Sequence, residues 1–234
     1  MPTTTAMAMA TEVTGAGAGA RLRLLQLVSP ALPVGAFSYA EGLEVLVQRG
    51  QMGNAAAVQG WLEAELSRGT VRLEAAAMPA LMELLADWQR HELLDRDGWL
   101  LAQRESPDVR AQMRQMGGSL LQLLADLGWP LPEPTPLTWP AAFAWAGCCL
   151  EIEAPALVEA YLFGWAANQL SAAVRLVPLG PTEAQRLQLQ LAPLISAQAQ
   201  ELAAADPWQL WSGGVGAGLA QLGQAELYSR LFRS

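Results

Sequence analysis

The sequence contains no lysine, so all fourteen of its basic side chains are arginines. Without lysine the chain cannot form a Walker-type phosphate loop, a Schiff base or a lysine general base. The glycine-rich segment 213–218 also lacks the Gly-Lys-Ser/Thr ending of a phosphate loop, and we interpret it as a flexible hinge. By itself the chain is therefore not an ordinary P-loop nucleotidase.

Histidine and cysteine are almost absent as well. His91 is the single histidine, and Cys148 and Cys149 are the two cysteines. Neighbouring cysteines in a helix point in different directions, so they predict neither a CxxC motif nor a disulfide framework. Because a metal site within one chain usually needs several such ligands, we expect no tightly bound metal or cofactor. One alternative stays open, a nickel-binding carrier that uses Cys148, Cys149, Glu151 or His91.

Combinations of residues that would support catalysis are missing too. The chain has one histidine and no Gly-x-Ser-x-Gly elbow, which argues against a Ser–His–acid site. We therefore expect no enzymatic activity. A hydrolase acting on its own is a further hypothesis, supported only by a few polar residues near predicted loops.

Charged residues make up only 15% of the chain, whereas about 25% is usual in soluble domains. Hydrophobic residues reach 52%, and the formal net charge is −8. An acidic chain is not expected to bind nucleic acid. The apolar surplus favours a protein that buries part of its surface in a partner or a homodimer. Free thiols fit a reducing, cytoplasmic location.

Both ends of the chain differ from its body. Segment 1–20 is of low complexity and lacks the basic start and apolar run of a secretory signal, so we predict a disordered tail. Segment 212–234 is glycine-rich and then basic and aromatic, and we expect it to be mobile until a partner orders it. The apolar segment 154–177 contains Glu159 and Arg175, which are costly inside a bilayer. We predict a buried helix there and no membrane association.

Helical spacing dominates the body, residues 21–211. Asn54 is placed to cap a helix that buries Val58 and Leu62, and Pro107 is placed in the first turn of another. No run alternates with period two for long. We predict an all-α fold, a single-domain helical bundle of roughly eight to ten helices with flexible N- and C-terminal tails.

One loop in this body is unusually specific. The stretch SPALPVGAFSYAEGLE, residues 29–44, places two prolines, Gly35 and Phe37 before a helix. Pro33 restricts the backbone and Gly35 permits a positive φ, which is typical of a rigid turn that either locks the core or presents a binding surface. Ser38 and Glu41 have the spacing of a capping box for the following helix.

Four stretches of the chain are of special interest: SPALPVGAFSYAEGLE (29–44), RESPDVRAQMRQMGGSLLQLL (104–124), AAVRLVPLG (172–180) and YSRLFRS (228–234). These four signature stretches resemble, in the expected order, segments of the UreF family of urease accessory proteins. The resemblance implies an all-helical homodimer without enzymatic activity. It also implies binding to the accessory protein UreD, also called UreH, recruitment and modulation of the GTPase UreG, and delivery of nickel, as cargo of the larger complex, to the urease apoprotein.

The resemblance further implies where the partners bind. In the family the C-terminal tail contacts UreD, and residues of the dimer face help to form the UreG surface. The predicted partner-binding residues lie in the first, third and fourth of the four stretches. They are Pro33, Gly35, Phe37, Tyr39, Arg175, Tyr228, Arg230, Leu231, Phe232 and Arg233.

The chain departs from the family pattern in its central helix, around Arg110 and Arg114, which has lost part of the usual charge pattern. It departs from the pattern at two further places. Pro181 and Ala184 follow the third stretch where the family often has PLGQ…GQ. No histidine precedes YSRLFRS, although the family often has one there. Tail histidines therefore cannot be metal ligands in this chain.

Overall fold

The structure is a computed structural model, and it describes residues 19–234. Every regular element in that range is helical, which confirms the all-α prediction. The described α-helices are α1 (19–27), α2 (Leu43–Gln48), α3 (Ala55–Arg68), α4 (Val71–Ala86), α5 (Arg90–Ala102), α6 (Pro107–Asp126), α7 (Trp139–Cys149), α8 (Ala154–Leu176), α9 (Pro181–Ala203) and α10 (Val215–Gly223). The predicted disordered tail, 1–20, lies outside the described residues except for its last two, which belong to α1.

Helices α4 and α8 form the centre of the bundle, and α3, α7 and α9 each pack against both of them. Helix α5 packs on α4, and α6 packs along α7. The short helix α10 lies on α2 and also touches α6. The last helix, α10, therefore lies against the helix that begins within the first signature stretch.

Two helix starts follow the local signals in the sequence. The Asn54 side chain accepts a hydrogen bond from the backbone N–H of Ala57 at 3.0 Å and caps α3. Ser106 accepts one from Val109, with Pro107 in the first turn of α6. Each cap satisfies one of the free N–H groups at a helix start and contributes about 1 kcal/mol.

Helix α8 is the segment whose apolar run raised the question of a membrane span. Leu157, Val158, Leu162 and Ala166 on this helix have no exposed surface. No helix within residues 19–234 is long and apolar enough to cross a bilayer. The segment is therefore a core helix, as predicted.

Helix α6 comes close to the start of α7 because Gly117 has no side chain. A Cβ atom at position 117 would lie 2.6 Å from the carbonyl carbon of Thr138 and would also collide with the carbonyl oxygen of Leu137. Buried Asp97 on α5 fixes the same place, since its carboxylate accepts the backbone N–H of Thr138 at 3.0 Å. Helices α5, α6 and α7 thus meet at one point.

The adjacent glycines of α6 give a matched test of this packing. Gly117→Ala should lower the free energy of unfolding by about 1–3 kcal/mol, because the new methyl group meets backbone atoms that cannot rotate away. Gly118→Ala has open space around its Cβ and should raise stability by up to about 1 kcal/mol through helix propensity. Urea denaturation of both variants measures the difference, and equal effects would contradict the close approach.

Candidate functional site

The first signature stretch and the C-terminal segment lie side by side. The backbone N–H of Ala40 donates to the carbonyl oxygen of Ser234 at 2.9 Å, and the N–H of Arg233 donates to the carbonyl oxygen of Ser38 at 2.9 Å. Residues 194 and 195 positions apart in sequence therefore pair through their backbones. This pairing brings together two of the predicted partner-binding regions.

Arg175 joins the third signature stretch to the other two. Its guanidinium donates to the carbonyl oxygen of Phe37 at 3.2 Å. The same group lies over the ring of Phe232, 4.5 Å from the ring centroid, a cation–π contact. One arginine near the end of α8 thus holds the loop and the tail at the same time.

The central signature helix, α6, also reaches this place. The Tyr39 hydroxyl donates to Oε1 of Gln115 at 2.9 Å, and Arg233 contacts the same oxygen at 3.5 Å. The carbonyl oxygen of Tyr39 accepts from the Asn168 amide at 3.3 Å. All four signature stretches therefore meet in one region. The part of it that is formed by 29–44, Arg175 and 228–234 is called the signature surface below.

The predicted residues divide into supporting and outward-facing ones. Tyr39 and Phe232 are each only 3% exposed. In this conformation they are buried beneath the surface and support it through their contacts with Gln115 and Arg175. Tyr228 is fully exposed, Phe37 is 69% exposed and Leu231 is 52% exposed. These three large apolar side chains form the part of the surface that a partner could contact.

The remaining predicted residues lie at the edges. Pro33 is exposed beside a shallow groove lined by α6 residues such as Arg114 and Gly118. Gly35 has a φ of 74°, which confirms the positive φ expected from the sequence. Arg230 is partly exposed and lies 3.7 Å from Asp108, a surface pair that contributes little.

The predicted capping box is wrong. Helix α2 begins at Leu43, with Gly42 in the left-handed region before it, and no side chain caps it. Glu41 itself has a φ of 47°, which is uncommon for a residue with a side chain. The reason is that Glu41 turns into the interior, where it accepts hydrogen bonds from Gln112 at 3.1 Å and from Trp165 at 3.3 Å.

A buried charge cluster lies beneath the signature surface. Arg104 is 5% exposed and bonds Glu74 at 2.6 Å, with Glu41 at 3.5 Å on its other side. The Tyr161 hydroxyl also donates to Glu74, at 2.7 Å. Burial raises the pKa of Glu74 and the neighbouring Arg104 opposes that rise. Burial disfavours charge on Arg104, but Glu74 and Glu41 outweigh it and raise its pKa.

Sequence reasoning missed the role of this cluster. Glu74 was detectable as a single charge within the otherwise apolar stripe of α4, and Arg104 opens the second signature stretch. No local pattern connects the two, since they are 30 residues apart. Only the packed structure shows that they neutralise each other.

A cavity of about 190 Å³ lies between the first signature stretch and α8. Apolar side chains such as Val34, Met116 and Phe143 form its walls, and Glu41, Glu74 and Arg104 lie on its floor. The acidic groups on the floor are already bonded to Arg104, Tyr161, Gln112 and Trp165. They are therefore arranged as structural partners of one another and not as a nucleophile with a base.

The residues that the nickel-carrier alternative would use do not form a metal site in the part of the chain that the structure describes. Burial raises the pKa of the Cys148 thiol to about 11 and that of Cys149 to about 12, which disfavours the thiolate that a metal requires. His91 is exposed and lies 3.4 Å from Asp95 on its own helix. Within residues 19–234, no three His, Cys, Asp or Glu side chains are grouped so that they could hold a metal ion.

The C-terminal segment is folded onto the rest of the chain in this structure. In the single chain, Val215–Gly223 forms α10, and Phe232 and Ser234 are buried. The physical reason is that the first signature stretch and α2 supply hydrogen-bond partners for its backbone. The proposed role of a partner in ordering the segment stays a prediction.

These features define an all-helical protein whose signature segments converge on one surface. The sequence profile of the UreF family matches residues 52–192. The urease accessory protein UreF of a Synechocystis species is 39% identical over 229 residues, covering 91% of this chain and 97% of its own length. Those of a Nostoc species and of Alkalilimnicola ehrlichii are 42% and 40% identical, each covering 91% of this chain and 95% of its own length. The chain belongs to the UreF family of urease accessory proteins.

Glu65 on α3 makes the stability of the folded protein depend on pH. Burial raises the pKa of its carboxyl from 4.5 to about 7; Arg104 and Arg68 lower it, whereas Glu41 raises it. The folded protein therefore keeps a proton between pH 4.5 and about 7 that the unfolded chain has lost. Stability falls as pH rises through this window and stays reduced above it.

Glu65→Gln should remove this dependence. At pH 5 the variant and the wild type should be about equally stable, because the folded wild type is protonated there. At pH 8 the variant should be more stable by roughly 2–3 kcal/mol, the cost of ionising the buried carboxyl. Urea denaturation at both pH values measures the gap, and a gap that does not change with pH would contradict the raised pKa.

Proposed function

We propose that this protein is a non-catalytic scaffold in the maturation of urease. It bridges the accessory protein UreD, also called UreH, and the GTPase UreG, and it modulates the GTPase while nickel is delivered to the urease apoprotein. It acts in the cytoplasm as a homodimer, with nickel as the cargo of the assembly and not as its own cofactor. Membership of the UreF family supports the accessory role.

The observation that carries the proposal is an outward apolar face on the C-terminal segment. Val215, Leu219 and Leu222 follow each other at helical spacing on α10 and are 69%, 59% and 44% exposed. Tyr228 and Leu231 extend the exposed apolar surface toward the C-terminus. The opposite face of α10 is fixed on α2, so the exposed residues are free to contact another protein.

The charge pattern of the tail favours a partner with an acidic rim. Arg230 and Arg233 are exposed beside the apolar side chains of Tyr228 and Leu231. Aromatic residues and arginine are the common anchors of protein interfaces. We assign this combined surface to UreD, and we assign the exposed loop at Pro33 and Phe37 to the recruitment of UreG.

Capture of UreD tests this assignment. The wild-type chain should retain purified UreD on an affinity resin, and deletion of Tyr228–Ser234 should abolish retention. Leu219→Ser should lower the affinity about tenfold or more, because an apolar interface anchor is lost.

Leu189→Ser is the matched control, since Leu189 is a leucine on α9 that is 75% exposed and lies outside the proposed surface. It should retain UreD like the wild type. The assignment would be contradicted if the deletion variant still bound UreD fully, or if the two serine variants lost affinity equally.

A further inference from the structure

The cavity between the first signature stretch and α8 is larger than the gaps that ordinary packing leaves in a protein core. Its volume is about 190 Å³, whereas gaps in a close-packed interior rarely exceed the size of a water molecule. An engineered apolar cavity of about 150 Å³ is known to stay dry and to bind benzene. This cavity therefore has room for one six-membered ring and one or two further heavy atoms.

One end of the cavity is open to solvent. Pro30, Phe37 and Ser171 line it and are exposed, and they belong to the first signature stretch and to α8. Met116 and Phe143 line its inner walls and are buried. A small molecule can therefore enter between the loop and the helix, and its apolar part is then removed from water among the inner side chains.

The charges on the floor of the cavity are not balanced. In the part of the chain that the structure describes, three charged side chains line the cavity, namely Glu41, Glu74 and Arg104. All three are more than nine-tenths buried, so water screens their charges weakly. Arg104 bonds Glu74 at 2.6 Å and Glu41 at 3.5 Å, but one guanidinium carries only one positive charge. Two carboxylates therefore leave one negative charge in excess.

The floor can also accept further hydrogen bonds. A carboxylate offers about four acceptor positions on its two oxygens. Within residues 19–234, Oε1 of Glu41 accepts only the Gln112 amide, at 3.1 Å, and Oε2 of Glu74 accepts only the Tyr161 hydroxyl, at 2.7 Å. A ligand that donates hydrogen bonds can therefore bind without displacing either partner. A ligand with its own carboxylate would instead be repelled by the excess negative charge.

We propose that this cavity is a binding site for a small organic cation, an ammonium or amidinium group carried on an apolar body about the size of one ring. The apolar body lies among the inner walls, and the N–H groups of the cation donate to Glu41 and Glu74. Its positive charge offsets the excess negative charge, which is costly in a buried place when it is left unpaired. This inference does not depend on the proposed function, because the whole site lies within this one chain.

Calorimetry of the full chain with three molecules of similar shape tests the preference for a cation. Benzylammonium should bind, benzyl alcohol should bind about tenfold more weakly or less, and benzoate should show no binding at the same concentrations. Glu41→Gln removes the excess charge, so the preference for benzylammonium over benzyl alcohol should disappear. Glu83→Gln is the matched control, since it removes an exposed charge on α4 and should leave the preference unchanged.

NMR of methionine methyl groups locates the bound ring in the wild-type chain without any substitution. Met113 and Met116 line the cavity, whereas Met52 is buried outside it. Benzylammonium should shift the methyl signals of Met113 and Met116, because its aromatic ring lies beside them, and should leave the signal of Met52 unchanged. Ala160→Leu adds bulk to the cavity wall and should weaken binding at least tenfold in a folded chain.

Each result decides a different part of the proposal. Equal affinity of the wild type for benzylammonium and benzyl alcohol, or a preference that persists in Glu41→Gln, would overturn the cation site. Binding that leaves the signals of Met113 and Met116 unchanged would overturn its location, as would full binding by folded Ala160→Leu. If none of the three molecules bound the wild type, the whole proposal would be wrong. These measurements contain no UreD, so failure of the proposed function is measured separately.

Discussion

The structure depends most on the buried Arg104 side chain and the two glutamates that share it. Arg104 precedes α6, Glu74 lies within α4, and Glu41 belongs to the first signature stretch. The guanidinium therefore ties three distant parts of the chain together inside the bundle. Removing one partner of such a buried set leaves an uncompensated charge and typically costs about 3–5 kcal/mol. Glu41 has a left-handed backbone directly before Gly42 and the start of α2.

The short sequence Glu41-Gly42-Leu43-Glu44 contacts both the buried charge cluster and the C-terminal tail. Glu41 points to the charge cluster below, Leu43 is fully buried in the core, and Glu44 holds the tail. The first signature stretch is therefore the foundation on which the C-terminal segment lies. Its exposed loop, with Phe37 outward, and the tail, with Tyr228 outward, are held next to each other by these contacts and by the pairing of Ser38 and Ala40 with Arg233 and Ser234. This explains physically why segments so far apart in the sequence form one site.

Sequence reasoning predicted the helices well and the contacts between them poorly. Asn54 and Pro107 signal helix starts locally, and the spacing of Val58 and Leu62 predicts the buried face of α3, so these features could be derived from short windows. The capping box at Ser38 was wrong because Glu41 turns into the interior, where it accepts hydrogen bonds from Gln112, Trp165 and Arg104. The contacts of the tail were missed too, since Glu44 supplies partners for its backbone from 187 residues away. Long-range hydrogen bonds of this kind leave no periodic pattern in the amino-acid sequence.

The central claim is that the buried charge cluster supports the pairing between the first signature stretch and the tail. Hydrogen–deuterium exchange of the wild type and of Arg104→Met tests it most directly, with the amides of Ala40 and Arg233 as reporters of that pairing. Both amides should be protected in the wild type and should exchange much faster in the variant, while Leu191 in the core of α9 stays protected. Unchanged protection of Ala40 and Arg233 in the folded variant would contradict the account.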